Sequence, residues 1–129
     1  TYIYNDRSLI ERGICTEKDC ALTVLATVVS TPAKDRAVID AGSKVLTSDL
    51  VNLSGHGYIV DYPNLNISTL SEEHGCITSE GPTELQVGQK LQIIPNHACV
   101  VSNMFDHVIL KNNDKNYLKH TVKARGKVW

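Results

Sequence analysis

"QVGQKLQIIPNHACVVSNMFDHVILKN", residues 86–112, is the stretch on which the reading of this chain turns. Leu91, Ile93, Ile94, Val100 and Val101 give it the strongest β signal in the sequence, and "VGQ" supplies the turn before it. Pro95 has no N–H to donate to a ladder, so it marks a strand end or edge. Just beyond it stand Asn96, His97 and Cys99. On an extended segment, residues i and i+2 share a face with Cα atoms roughly 6.5 Å apart. His97 and Cys99 are therefore expected to project side by side. An imidazole nitrogen and a thiolate can meet on one Zn²⁺ at roughly 2.0 and 2.3 Å. Two ligands do not close a structural zinc site, so such a pair would belong to a catalytic centre with open positions, or to one completed by another surface. On spacing alone, a buried cysteine beside a hydrogen-bonded histidine is the commoner arrangement. Asn96 is the expected partner that would orient the His97 ring.

Outward from this stretch, β signals continue. "CALTVLATVVS" at 20–30 reads as a long strand that ends at the turn cluster "TPAKD" with Pro32. "RAVIDAGSKVL" gives a second short strand stopping at Gly42, "GYIVDYP" a third closed by Pro63, and "LNISTLSEEHGCITSEG" one or two more around a polar turn. "FDHVILKN" and "YLKHTVKARGKV" flank "NNDKN", which has hairpin-loop composition. About seven or eight short strands with frequent turn signals predict an all-β domain, a barrel or a sandwich, with little helix. Helix is expected only in "NDRSLIERG", capped by Asn5 or Asp6 and stopped by Gly13. No repeat, low-complexity segment or internal linker divides residues 1–129.

With 129 residues, 42% of them apolar and 21% charged, the chain has the composition of a packed soluble domain. Its 13 basic and 14 acidic residues are scattered, which leaves no basic stripe to follow a phosphate backbone and argues against nucleic acid as a partner. No apolar run approaches the ~20 residues of a membrane-spanning helix, and "TYIYNDRSLIERG" lacks the layout of a signal peptide. The four cysteines, Cys15, Cys20, Cys76 and Cys99, are expected to be reduced thiols in the cytoplasm. Cys15 and Cys20 stand too far apart for a zinc knuckle, so a four-cysteine site is only weakly signalled.

Five ordered motifs carry a resemblance that covers nearly the whole chain. They are "VIDAGSKVLTSD" at 38–49, "GHGYIVDYP" at 55–63, "SEEHG" at 71–75, "VGQKLQIIPNHAC" at 87–99 and "ARGKV" at 124–128. In this order they resemble the C-terminal β domain of the D-threonine aldolases and D-serine dehydratases, which follows an alanine-racemase-like (β/α)₈ barrel. The resemblance implies a lyase that uses pyridoxal phosphate and a divalent metal, with His97 and Cys99 as metal ligands. Cys99 favours zinc; an aspartate there would suit manganese better. The resemblance also implies a small D-β-hydroxy amino acid as substrate, the N-terminal barrel as partner and a homodimeric enzyme. The lysine that holds pyridoxal phosphate would lie in the barrel, so the 129 residues alone are expected to catalyse nothing. Residues 1–13 resemble the end of the barrel and its linker, with Tyr2 or Tyr4 matching a tyrosine near the cofactor phosphate. The motifs "IDAGSK" and "SEEHG" place D-threonine aldolase slightly ahead of D-serine dehydratase, while Cys99 leans towards the dehydratase. A stand-alone binding or dimerisation module is the rival reading.

Other residues have plain explanations beside functional ones. Asp40, Gly42 and Lys44 belong to a family motif that is also an ordinary turn. His56 lies between two glycines, in an active-site loop or simply a tolerant one. Glu73 and His74 read as a polar turn, His107 and His120 as hairpin surface, and Arg125 as a surface residue that can hold a carboxylate.

Overall fold

Strand β1, Val24–Ala33, sets the architecture by serving two neighbours in succession. The computed structural model describes residues 3–112 and 116–127. Val24, Ala26 and Val28 alternate inward and are buried, while Leu25 between them is exposed, the period-2 pattern of a half-covered sheet. Residues 24–27 pair antiparallel with β6, Lys90–Ile94, so that Val24 faces Ile93. From Val28 onward the partner is β2, Arg36–Ile39, with two register shifts before Ala33 meets Arg36. The strand therefore runs through Pro32, past the expected turn at "TPAKD". Its far half pairs with β2 alone, and a proline is tolerated where one side of the strand has no neighbour.

The remaining strands are β3 (Tyr58–Ile59), β4 (Asn66–Leu70) and β5 (Gly75–Thr78), giving a six-stranded antiparallel sheet in the order β3-β6-β1-β2-β5-β4. The sheet curls until its two edges approach. The His56 N–H donates to the Ile67 carbonyl at 3.0 Å, and Gly57 (φ +142°) fits where a Cβ would stand 2.7 Å from Ile93. A nearly closed barrel results. Its interior is filled by Ile39, Ile59, Ile67, Ile77, Leu91 and Ile93, none more than 2% exposed. A separate hairpin, β7 (His107–Lys111) with β8 (Tyr117–Thr121), leaves Ile109, Leu110, Tyr117 and Leu118 in solvent. The loop "NNDKN" lies partly outside the described residues. No helix among the described residues is long and apolar enough to cross a membrane.

The mostly-β expectation holds, but helix is more frequent than expected. Helix α1, Arg7–Ile10, follows Asp6 at its N-cap position and precedes Gly13 in the left-handed region, as read from the sequence. The second strand stops at Ile39 instead of Gly42, because residues 43–46 turn into a short helix, α2 (Ser43–Leu46). Its first amides donate to the β4–β5 turn, Ser43 N–H to the Ser71 carbonyl at 2.8 Å and Lys44 N–H to Glu72 at 3.1 Å. A Cβ on Gly42 would stand 2.5 Å from the Glu72 backbone. The larger departure is α3, Ala98–Met104, where a strand was expected to continue. Ala98, Val101 and Phe105 recur at intervals of three and four and turn one face to the core, with Ala98 and Val101 buried.

Candidate metal centre

His97 and Cys99 do not share the face of a strand. His97 is the N-cap residue of α3, with extended dihedrals (φ −137°, ψ 102°), and Cys99 already lies in the first helical turn. The chain bends between them instead of running straight. The bend still keeps the two side chains near each other, close enough for Cys99 to help raise the pKa of the His97 ring. Cys99 is exposed and His97 retains 30% of its side-chain surface, so the pair is open to a ligand.

The ring is oriented by a residue the sequence reading did not single out as a partner. Asp49 Oδ2 lies 2.8 Å from His97 Nδ1, which leaves Nε2 as the free nitrogen. The Asp49 carboxylate raises the His97 pKa above its ordinary value, against partial burial, which lowers it; contact with Cys99 adds to the rise. Reciprocally, the bond from His97 holds the Asp49 carboxyl below the usual range. A carboxylate on the far nitrogen of a histidine is the outer-shell arrangement that fixes tautomer and ring direction in metal sites.

Asn96, expected in that role, has another. It is 2% exposed, and its Nδ2 donates to the carbonyls of Gly55 at 2.9 Å and Asp49 at 3.5 Å. A buried amide must find such partners or incur a penalty of about 1–3 kcal/mol. Asn96 thus fixes the loop that carries Asp49 rather than the ring itself. That loop, residues 47–57, is tightly wound, with Thr47, Val51 and Asn52 in the left-handed region. Each such non-glycine residue costs about 1–2 kcal/mol, offset by bonds such as Asp49 Oδ1 accepting from the Val51 N–H.

Tyr4 is half-buried, and its carbonyl accepts from the Ala21 N–H at 2.7 Å; Tyr2 lies outside the described residues. The motif residues 40–44 and 71–75 read here as structure: Asp40 Oδ1 accepts from the Thr27 N–H, and Lys44 bridges Glu72 and Glu73 at 2.9 and 2.6 Å. His56 has a buried Nδ1 without a partner, and burial lowers its pKa. Arg125 pairs with Asp106 at 3.2 Å on the surface, and His107 and His120 are exposed on the hairpin. Cys15, Cys20, Cys76 and Cys99 form no disulfide. Among the described residues no cluster of three or more His, Cys, Asp or Glu is set to close around a metal ion. His97 and Cys99 therefore stand as a pair, without a third such side chain gathered around them among the described residues.

Comparison with known proteins places the chain in a family. The family model described as "putative serine dehydratase domain" matches residues 21–110. An uncharacterized protein of Mycobacterium tuberculosis is 38% identical over 128 residues, covering 95% of this chain and 96% of its own length. The D-serine dehydratase of Dictyostelium discoideum is 34% identical over 127 residues, covering 88% of this chain but only 32% of the enzyme. The structure of D-threo-3-hydroxyaspartate dehydratase from Delftia sp. superposes on 99% of this chain and 38% of its own, with a TM-score of 0.84 and 27% identity. Further structures of that enzyme are of a histidine-to-alanine variant and of a cysteine-to-alanine variant in the metal-free form, the two positions two residues apart. The chain thus spans about a third of the length of the dehydratases it matches and nearly all of the mycobacterial protein.

Proposed function

The chain belongs to the serine dehydratase domain family, and from that premise we propose that it is the metal-bearing C-terminal β domain of a pyridoxal-phosphate-dependent lyase acting on a small D-β-hydroxy amino acid. One observation carries the reading: His97 is tied through Nδ1 to Asp49 while Cys99, two residues on, lies exposed in the first turn of α3. The spacing of these two residues is also that of the histidine and cysteine replaced in the dehydratase variants, the second of which is metal-free.

The donor set fits a divalent metal. His97 Nε2 and Cys99 Sγ would hold it, a borderline nitrogen and a soft thiolate that favour zinc over manganese. When bound, the metal would supply Lewis acidity towards the β-hydroxyl of the substrate. The protein's own residues set the conditions. Asp49 accepts the Nδ1–H and leaves Nε2 as the donor atom for the metal. Cys99, exposed, gives its proton to solvent when it becomes a thiolate. With two protein ligands, open positions remain for water or a hydroxyl. Pyridoxal phosphate would be carried by a lysine of a (β/α)₈ barrel domain, with Tyr4 the described candidate to approach its phosphate. The same reading puts the enzyme in the cytoplasm, where the cysteines stay reduced, and makes it a homodimer.

Dehydration is placed ahead of aldol cleavage, reversing the order expected from the motifs. The matched family is a dehydratase domain and Cys99 supplies the soft ligand, while the related enzymes include both dehydratases and D-threonine aldolases. Assaying the chain together with its barrel domain on D-serine and D-threonine, with zinc and pyridoxal phosphate present, decides the matter. Pyruvate from D-serine is expected; aldehyde from D-threonine without pyruvate would move the chain to the aldolases. Loss of bound zinc in the Cys99→Ala variant is expected, and undiminished zinc there would defeat the metal assignment. A stand-alone, non-catalytic module is the second reading, favoured by the mycobacterial relative of the same extent. Elemental analysis of the chain alone gives one zinc under the first reading and none if the module has no metal role.

A further inference from the structure

We infer that Asp6 and Arg7 are positioning residues for the metal pair: Asp6 holds the peptide that joins the two ligands, and Arg7 binds the loops on either side of it. This rests on the reading of His97 and Cys99 as ligands.

The Asp6 carboxylate has no exposed surface. A buried carboxylate is costly unless its oxygens are hydrogen-bonded, and both are. Oδ2 accepts the Ala98 N–H at 2.9 Å, and Oδ1 accepts the Ser8 hydroxyl at 2.6 Å. Ala98 is the residue between His97 and Cys99 and the first of α3, so its amide has no acceptor within the helix. His97, the local N-cap residue, makes no side-chain cap bond of its own. The cap arrives instead from a residue 92 positions earlier in the chain. It fixes the orientation of the backbone between the two ligand residues.

The neighbours of Asp6 continue the brace. Arg7 N–H donates to the Pro95 carbonyl at 3.0 Å and Ser8 N–H to the Asn96 carbonyl at 3.3 Å, so the first amides of α1 dock on successive carbonyls of the ligand loop. The Arg7 guanidinium donates to the carbonyls of Ser54 at 2.8 Å and Gly57 at 3.1 Å and to Asn96 Oδ1 at 3.3 Å. One side chain thereby joins the loop of Asp49 to the loop of His97. Because Asn96 also bonds Gly55 and Asp49, the Asp49–His97 distance depends on Arg7 through backbone that Arg7 holds on both sides.

The test is cobalt(II) titration of the full chain, reading the thiolate-to-cobalt absorption and the ligand-field bands, with amide exchange at Ala98 measured on metal-free protein. Asp6→Ala is expected to weaken cobalt binding by about 10–100-fold, the usual cost of losing an outer-shell partner, and to shift the ligand-field bands. Asp6→Asn keeps an oxygen for the Ala98 N–H and an N–H for Ser8, so it should restore affinity and spectrum. Arg7→Gln should weaken binding less than Asp6→Ala. A folded Asp6→Ala with wild-type affinity and spectrum overturns the inference. If Asp6→Ala does not fold, Arg7→Gln decides by the same criterion. If the wild type takes up no cobalt, the ligand reading fails by itself. The brace is then judged by exchange: slow exchange at Ala98 that Arg7→Gln accelerates supports it, and an unprotected amide in the wild type overturns it.

Discussion

The barrel interior and the corner formed by residues 47–57 and 95–99 are held by opposite means. Inside the barrel, Ile39, Ile59, Ile67, Ile77 and Ile93 are sealed from solvent, and removal of apolar surface at roughly 25 cal/mol per Å² is the dominant stabilising effect. At the corner, Asp6, Arg7, Asp49 and Asn96 place two chemically active side chains through individual hydrogen bonds. Non-directional packing tolerates exchange of one apolar side chain for another of similar volume. Directed bonds do not. The difference teaches that stability and metal affinity should respond to separate sets of substitutions.

The largest expected effect is on the barrel side. Ile77→Ala should cost about 2–5 kcal/mol in denaturant unfolding, while the folded fraction keeps its metal affinity; a loss of affinity would show that core and corner are coupled. Next, Asp49→Ala should weaken zinc binding by about 10–100-fold in calorimetric titration, with a far smaller change in unfolding midpoint than Ile77→Ala gives. Cys99→Ala sharpens the contrast further. Being exposed, it should alter the stability of metal-free protein by no more than about 0.5 kcal/mol while abolishing stoichiometric metal binding.

The smallest effect separates two histidines of the same neighbourhood. In metal-free protein, proton resonances followed against pH should show His97 titrating above 6.5 and His56 below it. The signs differ in their consequence. His97 gains a carboxylate on folding, so its contribution is complete below the unfolded pKa and fades as pH rises through the folded one. His56 is penalised when charged, so the fold is unburdened above the unfolded pKa and loses stability as pH falls towards the folded value. Coincident titration of the two rings would break the distinction.

Most strands were legible because period-2 burial is a local property. Val24, Ala26 and Val28 announce the inward face of β1, and "FDHVILKN" with "YLKHTVKARGKV" announces the hairpin, including its exposed histidines. Helix α3 was misread because Val100 and Val101, both β-branched, prolong an apolar run that begins in β6. The spacing of Ala98, Val101 and Phe105 was the helical signal present all along. His97 and Cys99 could be singled out from chemistry and motif. The Asp49 bond could not, since Asp49 lies 48 positions before His97 and only the folded barrel brings them together. Asp6 hid for a similar reason: it reads as the cap of its own helix, while its carboxylate serves another.

Gly42 carries a consequence for anyone who would rebuild this domain. Its backbone dihedrals (φ −101°) suit any residue, so what forbids a methyl group is crowding by the main chain of Glu72 and Ser71, which has no rotamer to change. Retreat of that turn would stretch the Ser43 and Lys44 amide bonds at once. The segments around Gly42 and Glu72 therefore behave as a single interlocking part, and transplanting either without its mate into another scaffold would carry over a joint with one half missing.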